Sequence, residues 1–152
     1  MTIIERAATL LMLLPAAIWA GIVVFYAVER VNLWARMPVE QFAVDFRRSV
    51  HRADPLQPIL AIATIIGSAI FAVNSGGLAS AFAWVGAGIV AAVIAFSIAV
   101  PERINSEFRR RAEGDAPPHA DSLRARWRLL HWIRTVPTVA ALVSLILATT
   151  FA

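Results

Sequence analysis

Four long apolar stretches divide the chain, and the segments between them are polar. The stretches run roughly over 7–28, 56–74, 78–100 and 133–152. A helix that crosses a bilayer needs about 20 apolar residues, and each stretch comes close to that length. The pattern therefore predicts an all-α fold, in which a single domain over 1–152 forms an antiparallel, up-down bundle of four transmembrane helices.

The polar segment after the first stretch predicts a further, shorter helix. Phe42, Phe46 and Val50 recur at helical spacing after Pro38, with charged residues between them. A helix with one apolar and one charged face is typical of the boundary between lipid and water. We therefore expect this amphipathic helix to lie at the membrane interface.

The third and fourth helices are expected to project beyond the bilayer. The third passes Pro101 and continues through ERINSEFRRRAEG, until Gly114 and two prolines stop it. The fourth is capped by Asp121 or Ser122, and about 30 residues give it a length of about 45 Å. Both helices would then be longer than the apolar stretches they contain.

Composition and charge fit a membrane protein and predict its orientation. Hydrophobic residues make up 59% of the chain and charged residues 16%. All fourteen basic residues are arginines, five in 29–54 and six in 101–126, whereas the turn NSGG at 74–77 has none. The positive-inside rule therefore predicts that both arginine-rich segments are cytoplasmic and both termini lie outside.

The same composition bears on location and partners. The chain has no lysine beside many alanines and arginines, which indicates a GC-rich bacterial genome. Together with the four apolar stretches, this predicts a multi-pass protein of the cell inner membrane. Anionic lipid headgroups account for the net charge of +4, and no motif of a nucleic-acid-binding fold is present. The chain has no cysteine, which excludes disulfides and thiolate chemistry.

Polar side chains enter the last apolar stretch on one face of its helix. At about 100° per residue, one narrow stripe contains Trp127, His131, Arg134, Thr138 and Leu145. An ionisable side chain inside a span is costly, so this stripe predicts a functional site. The alternative is that Arg134 only anchors the helix at the headgroups, as arginine often does.

Further polar residues are expected at the same membrane depth. Besides the stripe, they are Tyr26, Glu29, His51, Asp54 and Asn105, and we expect His131, Asn105 and His51 to face one cleft. His51 and His131 could ligate a haem or, with a carboxylate, a single metal ion. Neither reading has a supporting motif, and the chain has no Glu-x-x-His pair for a di-iron centre. We therefore predict no metal and no cofactor.

Two segments carry a resemblance to a known family. VPERINSEF and RWRLLHWIRTVPTVAAL share the pattern Pro-x-x-x-Asn followed by Trp-x-x-x-His-x-x-Arg-Thr, and the matching residues are Pro101, Asn105, Trp127, His131, Arg134 and Thr135. This pattern resembles that of the small four-helix membrane proteins related to anthrone oxygenases. The first half, with Trp19, Gly21, Phe25 and the segment FRRSVHRADPLQP, is similar in character, so the resemblance covers nearly the whole chain.

The resemblance implies a reaction and a set of roles. Characterised relatives oxidise anthrones to anthraquinones with molecular oxygen, without a metal or flavin. His131 would then be the base, Arg134 would stabilise the oxyanion, and Asn105 would bind the substrate carbonyl. Trp127 would stack on the substrate rings, with Tyr26 and His51 completing the binding site. The predicted function is a cofactor-independent oxygenase of an aromatic or polyketide-like substrate at the cytoplasmic membrane face.

Two non-catalytic readings stay open. The chain could be an accessory subunit of a larger membrane complex, or form a homo-oligomer, with the arginine-rich segments as contact surface and small residues such as Gly86 and Gly88 for close helix packing. It could also bind a quinone or a similar redox lipid without turning it over. The sequence leaves open whether the protein is an enzyme.

Overall fold

The computed structural model of the protein describes residues 2–112 and 114–152. It is 87% helical, and the described residues contain no strand. The helices are α1 Ile3–Phe25, α2 Val31–Arg36, α3 Val39–Ala53, α4 Leu56–Asn74, α5 Gly77–Ala99, α6 Pro101–Arg109 and α7 Ala120–Thr150. A π-helical turn, Tyr26–Arg30, joins α1 to α2.

Four helical stretches are long and apolar enough to cross a membrane. They are Ile3–Arg36, Val39–Asn74, Gly77–Ala99 and Ala120–Thr150, and each overlaps one of the predicted apolar stretches over most of its length. The all-α class and the four span-length helices are therefore confirmed. In the bundle α1 packs against α4 and α7, and α5 packs against α4 and α7.

The end of the bundle that contains both chain termini is built from small side chains. We call it the small-residue layer, and its buried members are Ala8, Met12, Ala16, Phe71, Ala72, Ala79, Ala83, Leu145 and Ala148. Next to it, a Cβ atom on Gly67 would lie 2.5 Å from the backbone nitrogen of Met12, and one on Gly86 would lie 2.4 Å from the Leu145 side chain. Glycine at these two positions lets α4 approach α1, and α5 approach α7, at van der Waals distance.

The opposite end is built from large aromatic side chains. We call it the aromatic layer, and its buried members are Val31, Trp34, Phe42, Ala43, Phe46, Val50, Ile104, Phe108, Ala120, Trp127 and Leu130. The Phe46 ring lies 4.8 Å from Phe108, 5.2 Å from Trp34 and 5.2 Å from Trp127, centre to centre and edge to face. Such edge-to-face pairs are favourable for aromatic rings, so they hold α2, α3 and α6 on the first turns of α7.

The predicted amphipathic helix exists as α3, but its apolar face does not meet lipid. Phe42, Phe46 and Val50 are at most 4% exposed, and they pack inside the aromatic layer. The hydrophobic stripe that the sequence assigned to the membrane interface is therefore covered by the protein itself.

Two of the predicted helix boundaries are wrong. The third long helix does not run through Pro101, because Val100 leaves helical geometry with φ −121° and ψ −67°. α6 then starts afresh with Pro101 in its first turn, where the missing N–H costs nothing, and ends at Arg109 rather than near Gly114. The first apolar stretch, 7–28, lies within a longer helical stretch that continues through the π-helical turn to Arg36.

Candidate functional site

The polar stripe of α7 faces the inside of the bundle. Trp127, His131, Arg134, Thr138 and Leu145 are all buried. Arg134 is only 8% exposed, whereas its neighbour Trp132 is 41% exposed on the outer side of the helix. The guanidinium is therefore enclosed by protein, which does not fit a side chain that only anchors a helix at the headgroups.

His131 is held by hydrogen bonds at both ring nitrogens. Arg134 donates to Nδ1 from Nε at 3.2 Å and from Nη2 at 2.9 Å, and the carbonyl oxygen of Val23 lies 2.9 Å from Nε2. A guanidinium can only donate and a carbonyl can only accept, so the proton of the imidazole lies on Nε2 and Nδ1 is the acceptor. The ring stacks on Trp127 at 4.8 Å with an angle of 19°, and the Tyr26 ring lies 6.1 Å away.

Arg134 has an incomplete set of partners for a buried cation. Besides His131, its guanidinium lies 5.8 Å from the centre of the Trp127 ring. In the described part of the chain no carboxylate lies within ion-pair distance of it. Asp54 lines the same cavity as Arg134, without contacting it as an ion pair. A buried cation without a contacting counter-charge is unfavourable, so an anion in the adjoining space would stabilise it.

A chain of hydrogen bonds connects α7 to the segment before α4. Trp127 donates from Nε1 to the Oδ1 atom of Asn105 at 3.0 Å, and Asn105 donates from Nδ2 to the Oδ2 atom of Asp54 at 2.9 Å. Arg109 approaches the same Asp54 oxygen at 3.5 Å. The Asn105 amide on α6 thus holds the Asp54 carboxylate, and the Trp127 indole holds the Asn105 amide in turn.

A cavity of about 170 Å³ lies where these groups meet, and we call it the Asp54–Arg134 cavity. Its walls are Trp19, Asp54, Gln57, Pro58, Ile94, Ser97, Ile98, Pro101, Glu102, Asn105 and Arg134. The Nε1–H of Trp19 is buried and has no hydrogen-bond partner. Ile98 is 65% exposed on the outer surface of α5, so the cavity opens toward the side of the bundle.

The sequence of the chain matches one family model. Residues 46–144 match the model of the anthrone oxygenase family, which is about two thirds of the chain. The chain belongs to the anthrone oxygenase family. Comparison with curated proteins and with solved structures gave no match.

The anthrone oxygenase family match bears on part of the site. The matched range includes Asp54, Asn105, His131 and Arg134, whereas Trp19 lies before it. The resemblance drawn from the Pro-x-x-x-Asn and Trp-x-x-x-His-x-x-Arg-Thr patterns is thereby confirmed at the level of the family. The assignment of roles to single residues stays a prediction.

The structure brings together five of the six residues singled out from the sequence. Asn105 and Arg134 line the cavity, and His131, Trp127 and Tyr26 lie behind Arg134 in contact with one another. Trp127 is 5% exposed and its ring already packs on His131, Trp34 and Phe46. It therefore supports the site from behind in this structure and does not present a free face to a ligand.

His51 is the exception, and the expectation that it shares the cleft is wrong. It is exposed on α3, next to the buried Val50. One residue further along a helix is a rotation of about 100°, which turns His51 away from the aromatic layer that covers Val50. His131 is buried with both ring nitrogens hydrogen bonded, so the structure does not bring the two histidines together. Among the described residues no three His, Cys, Asp or Glu side chains are grouped as metal ligands would be.

Sequence reasoning gave no site role to three residues of the cavity wall, although it placed Asp54 at the same membrane depth as the predicted site. Asp54, Trp19 and Gln57 were not proposed as site residues, although each carries a polar group into an apolar environment. A signal was present in the segment ADPLQP, where an acid and an amide occupy the first turn of an apolar helix. Trp19 lies in the middle of an apolar stretch and gives no such signal.

Proposed function

We propose that the protein is a membrane-bound, cofactor-independent oxygenase of anthrone-like aromatic substrates. The family supports the reaction type, and the four span-length helices support a place in the membrane. The reaction converts an anthrone and O2 to an anthraquinone and water.

One observation carries the proposal. The Asp54–Arg134 cavity is lined by the Trp19 indole, whose buried Nε1–H has no acceptor, by the Arg134 guanidinium, whose Nε and Nη2 atoms bond His131, and by the carboxylate of Asp54. Donors without acceptors are costly when buried, so they are complementary to a ligand oxygen that carries negative charge. Loss of a proton from an anthrone places such charge on its carbonyl oxygen.

The hydrogen bonds favour a different base from the one that the sequence suggested. The lone pair of His131 Nδ1 is occupied by Arg134, which makes His131 a positioning residue for the guanidinium. Asp54 lines the cavity and is oriented by Asn105, so its carboxylate is the group placed to accept a proton from the substrate. Asn105 thereby acts on the base, in place of the contact to the substrate carbonyl that the resemblance implied.

The reaction proceeds through an enolate and then a hydroperoxide of the substrate. Asp54 takes one proton from the methylene carbon of the anthrone, and Arg134 and Trp19 stabilise the enolate oxygen. The electron-rich carbon reduces O2 and forms a carbon–oxygen bond, which gives a hydroperoxide once the proton returns. Loss of the second methylene hydrogen as a proton breaks the oxygen–oxygen bond and forms the new carbonyl. The departing hydroxide takes that proton and leaves as water.

The opening of the cavity suits a hydrophobic substrate. It lies between Pro58 on α4 and Ile98 on α5, on a surface that we assign to the lipid. A cavity of about 170 Å³ is smaller than the about 300 Å³ at which pockets for drug-sized ligands begin. The reacting edge of the substrate would therefore enter the cavity while its remaining rings stay between the helices and the lipid.

The test follows oxygen consumption and anthraquinone formation with anthrone as substrate, above the rate with heat-denatured protein. We expect Asp54→Asn to lower kcat by about 100-fold, since general base catalysis contributes about 100-fold or more. Trp19→Phe should lower it by about 10-fold or more, because it removes one donor to the oxyanion.

Matched variants control this test. Asp115→Asn changes an exposed acid, and Trp84→Phe changes a tryptophan that is 50% exposed on α5, so both should keep full activity. If purified, folded protein consumes no oxygen with anthrone above background, the proposed function is wrong. If it does so but Asp54→Asn is as active as the unchanged protein, the assignment of the base is wrong.

We also propose an orientation for the bundle. The packing of Ala8 and Ala148 in one layer supports an antiparallel order of the four long helices. The positive-inside rule supports a position of the arginine-rich segments and the cavity on the cytoplasmic side of the inner membrane. A reporter that is active only outside the cytoplasm should work when fused after Ala152 and fail when inserted at Gly114. The reverse pattern would move the cavity to the other face.

A quinone-binding protein is the second candidate, because the unpaired Nε1–H of Trp19 and the cationic Arg134 beside it would also suit a quinone carbonyl. It predicts that the purified protein retains a quinone and has no oxygenase activity. The accessory-subunit reading predicts neither property, and it predicts a second protein that copurifies with the chain.

A further inference from the structure

A second group of charged side chains lies on the outer face of α3, away from the Asp54–Arg134 cavity. Arg47, Arg48, His51 and Arg52 lie at spacings that bring them to one side of the helix. With Val44 they line a separate cavity of about 280 Å³. The two cavities share no wall residue.

These arginines lack acidic partners, unlike three other arginines of the protein. Arg30 pairs with Asp45, Arg109 with Asp54 and Glu102, and Arg124 with Asp121. Within residues 2–112 and 114–152, Arg47, Arg48 and Arg52 form no ion pair with an acidic side chain.

One of these arginines also carries an unsatisfied buried donor. The Nη1 atom of Arg47 is buried and has no hydrogen-bond partner. Like charges four residues apart repel each other on a helix, and a buried donor without an acceptor is also unfavourable. A bound anion would offset both the repulsion and the missing hydrogen bond.

We propose that this group, the α3 arginine cluster, binds a phosphate group. A guanidinium group can donate two parallel hydrogen bonds to the oxygens of one phosphate. Three arginines around one space carry more positive charge than a single carboxylate would neutralise. The cavity has the volume of a headgroup rather than of an extended peptide. It lies just before α4, an apolar helix of span length, which is where lipid phosphates are found.

The phosphate could belong to an anionic lipid or be free in solution, and two binding measurements separate these sources. The full chain, delipidated in uncharged detergent, is titrated with inorganic phosphate by calorimetry. The same sample is mixed with phosphatidylglycerol or phosphatidylcholine, and retained lipid is counted by native mass spectrometry.

The variants compare two pairs of exposed arginines that carry the same charge. Arg48→Gln with Arg52→Gln changes the α3 arginine cluster, and Arg36→Gln with Arg126→Gln is the control. We expect the first pair to weaken binding by about 30-fold, or about 5-fold for each arginine, and the control by less than about 2-fold. Arg47→Gln alone tests the buried donor, and circular dichroism checks that each variant keeps its helices.

The outcomes decide both the site and its source. Binding of inorganic phosphate that the α3 variants lose assigns free phosphate, and selective retention of phosphatidylglycerol that they lose assigns a lipid headgroup. Equal losses in the two pairs, or no phosphate-dependent binding in either measurement, would overturn the proposal. The oxygenase assay is independent, since neither pair lines the Asp54–Arg134 cavity.

Discussion

The two ends of the bundle are built on different principles. In the small-residue layer, helices approach so closely that Gly67 leaves no room for a methyl group beside the Met12 backbone. The side-chain hydroxyls nearby, Ser80 and Ser144, donate to the backbone carbonyl oxygens of Ala72 and Phe82. In the aromatic layer large rings pack between the helices, and the cavity lined by Asp54 and Arg134 is linked to that layer by the hydrogen bond from Trp127 to Asn105.

The difference indicates how one small fold combines rigidity with a charged cavity. Close contact between α1 and α4 and between α5 and α7 fixes the helices at the end with the termini. The other end can then carry buried charges without collapsing, because short helices outside the bundle close it with aromatic contacts. We therefore expect changes at the two ends to separate, with loss of stability at one and loss of function at the other.

The largest effect is expected for Arg134→Lys. Lysine keeps the charge but not the planar fork that reaches both His131 and the cavity, so kcat with anthrone should fall by about 100-fold, about 2.7 kcal/mol of activation free energy. The unfolding midpoint in detergent should change little, and Arg126→Lys on the exposed side of α7 should change neither.

Full activity of Arg134→Lys would remove the main support for the charged cavity as the site. The end with the aromatic layer would then no longer be the functional end. Arg134 would contribute only its positive charge, as an anchor of the helix.

The spacing of apolar and polar residues predicted the features that belong to single helices, namely their extent and their buried face. The spacing of Trp127, His131 and Arg134 predicted which side of α7 is buried, and the four apolar stretches predicted the long helices. The break at Val100 and the π-helical turn at Tyr26–Arg30 were not predicted, because neither has a signal in the pattern of apolar positions. Pro101 is compatible with a helix that starts there as well as with one that is bent.

The site was predicted less completely, because a cavity depends on several helices together. Asn105 and Arg134 stood out as polar residues in or next to apolar stretches, and both line the cavity. Trp19 became a candidate only once α1 was packed against α4 and its indole was left without an acceptor. The position of His51 could have been predicted, since the helical face that contains Phe42, Phe46 and Val50 excludes it.

A smaller effect, on stability, is expected for Gly67→Ala. The new methyl group would meet the Met12 nitrogen at 2.5 Å and the Leu11 carbonyl carbon at 2.6 Å, and backbone atoms cannot rotate away. α1 would have to shift, which should lower the free energy of unfolding by about 2 kcal/mol. Denaturant titration in detergent measures it.

Gly88→Ala is the matched control, because a Cβ atom at Gly88 meets nothing within 4 Å. It should leave stability unchanged or raise it slightly, since alanine favours a helix over glycine. If the two variants unfold alike, close helix contact is not what stabilises the end with the termini.

The smallest effect is expected for Arg124→Gln, which tests whether the aromatic layer needs its own support. Arg124 donates from Nη1 to the carbonyl oxygens of Trp34 at 3.0 Å and Met37 at 2.8 Å, and so satisfies the C-terminal end of α2. Its loss should cost about 1 kcal/mol of unfolding free energy, less than Gly67→Ala, because water can replace part of these bonds. Arg126→Gln, exposed on the same helix, should cost nothing measurable.

Arg124→Gln should also lower kcat slightly, because Trp34 packs on Trp127, which holds Asn105. Gly67→Ala should leave kcat of the folded protein unchanged. The opposite assignment of the kcat loss would show that the cavity is positioned by the small-residue layer and not by the aromatic layer.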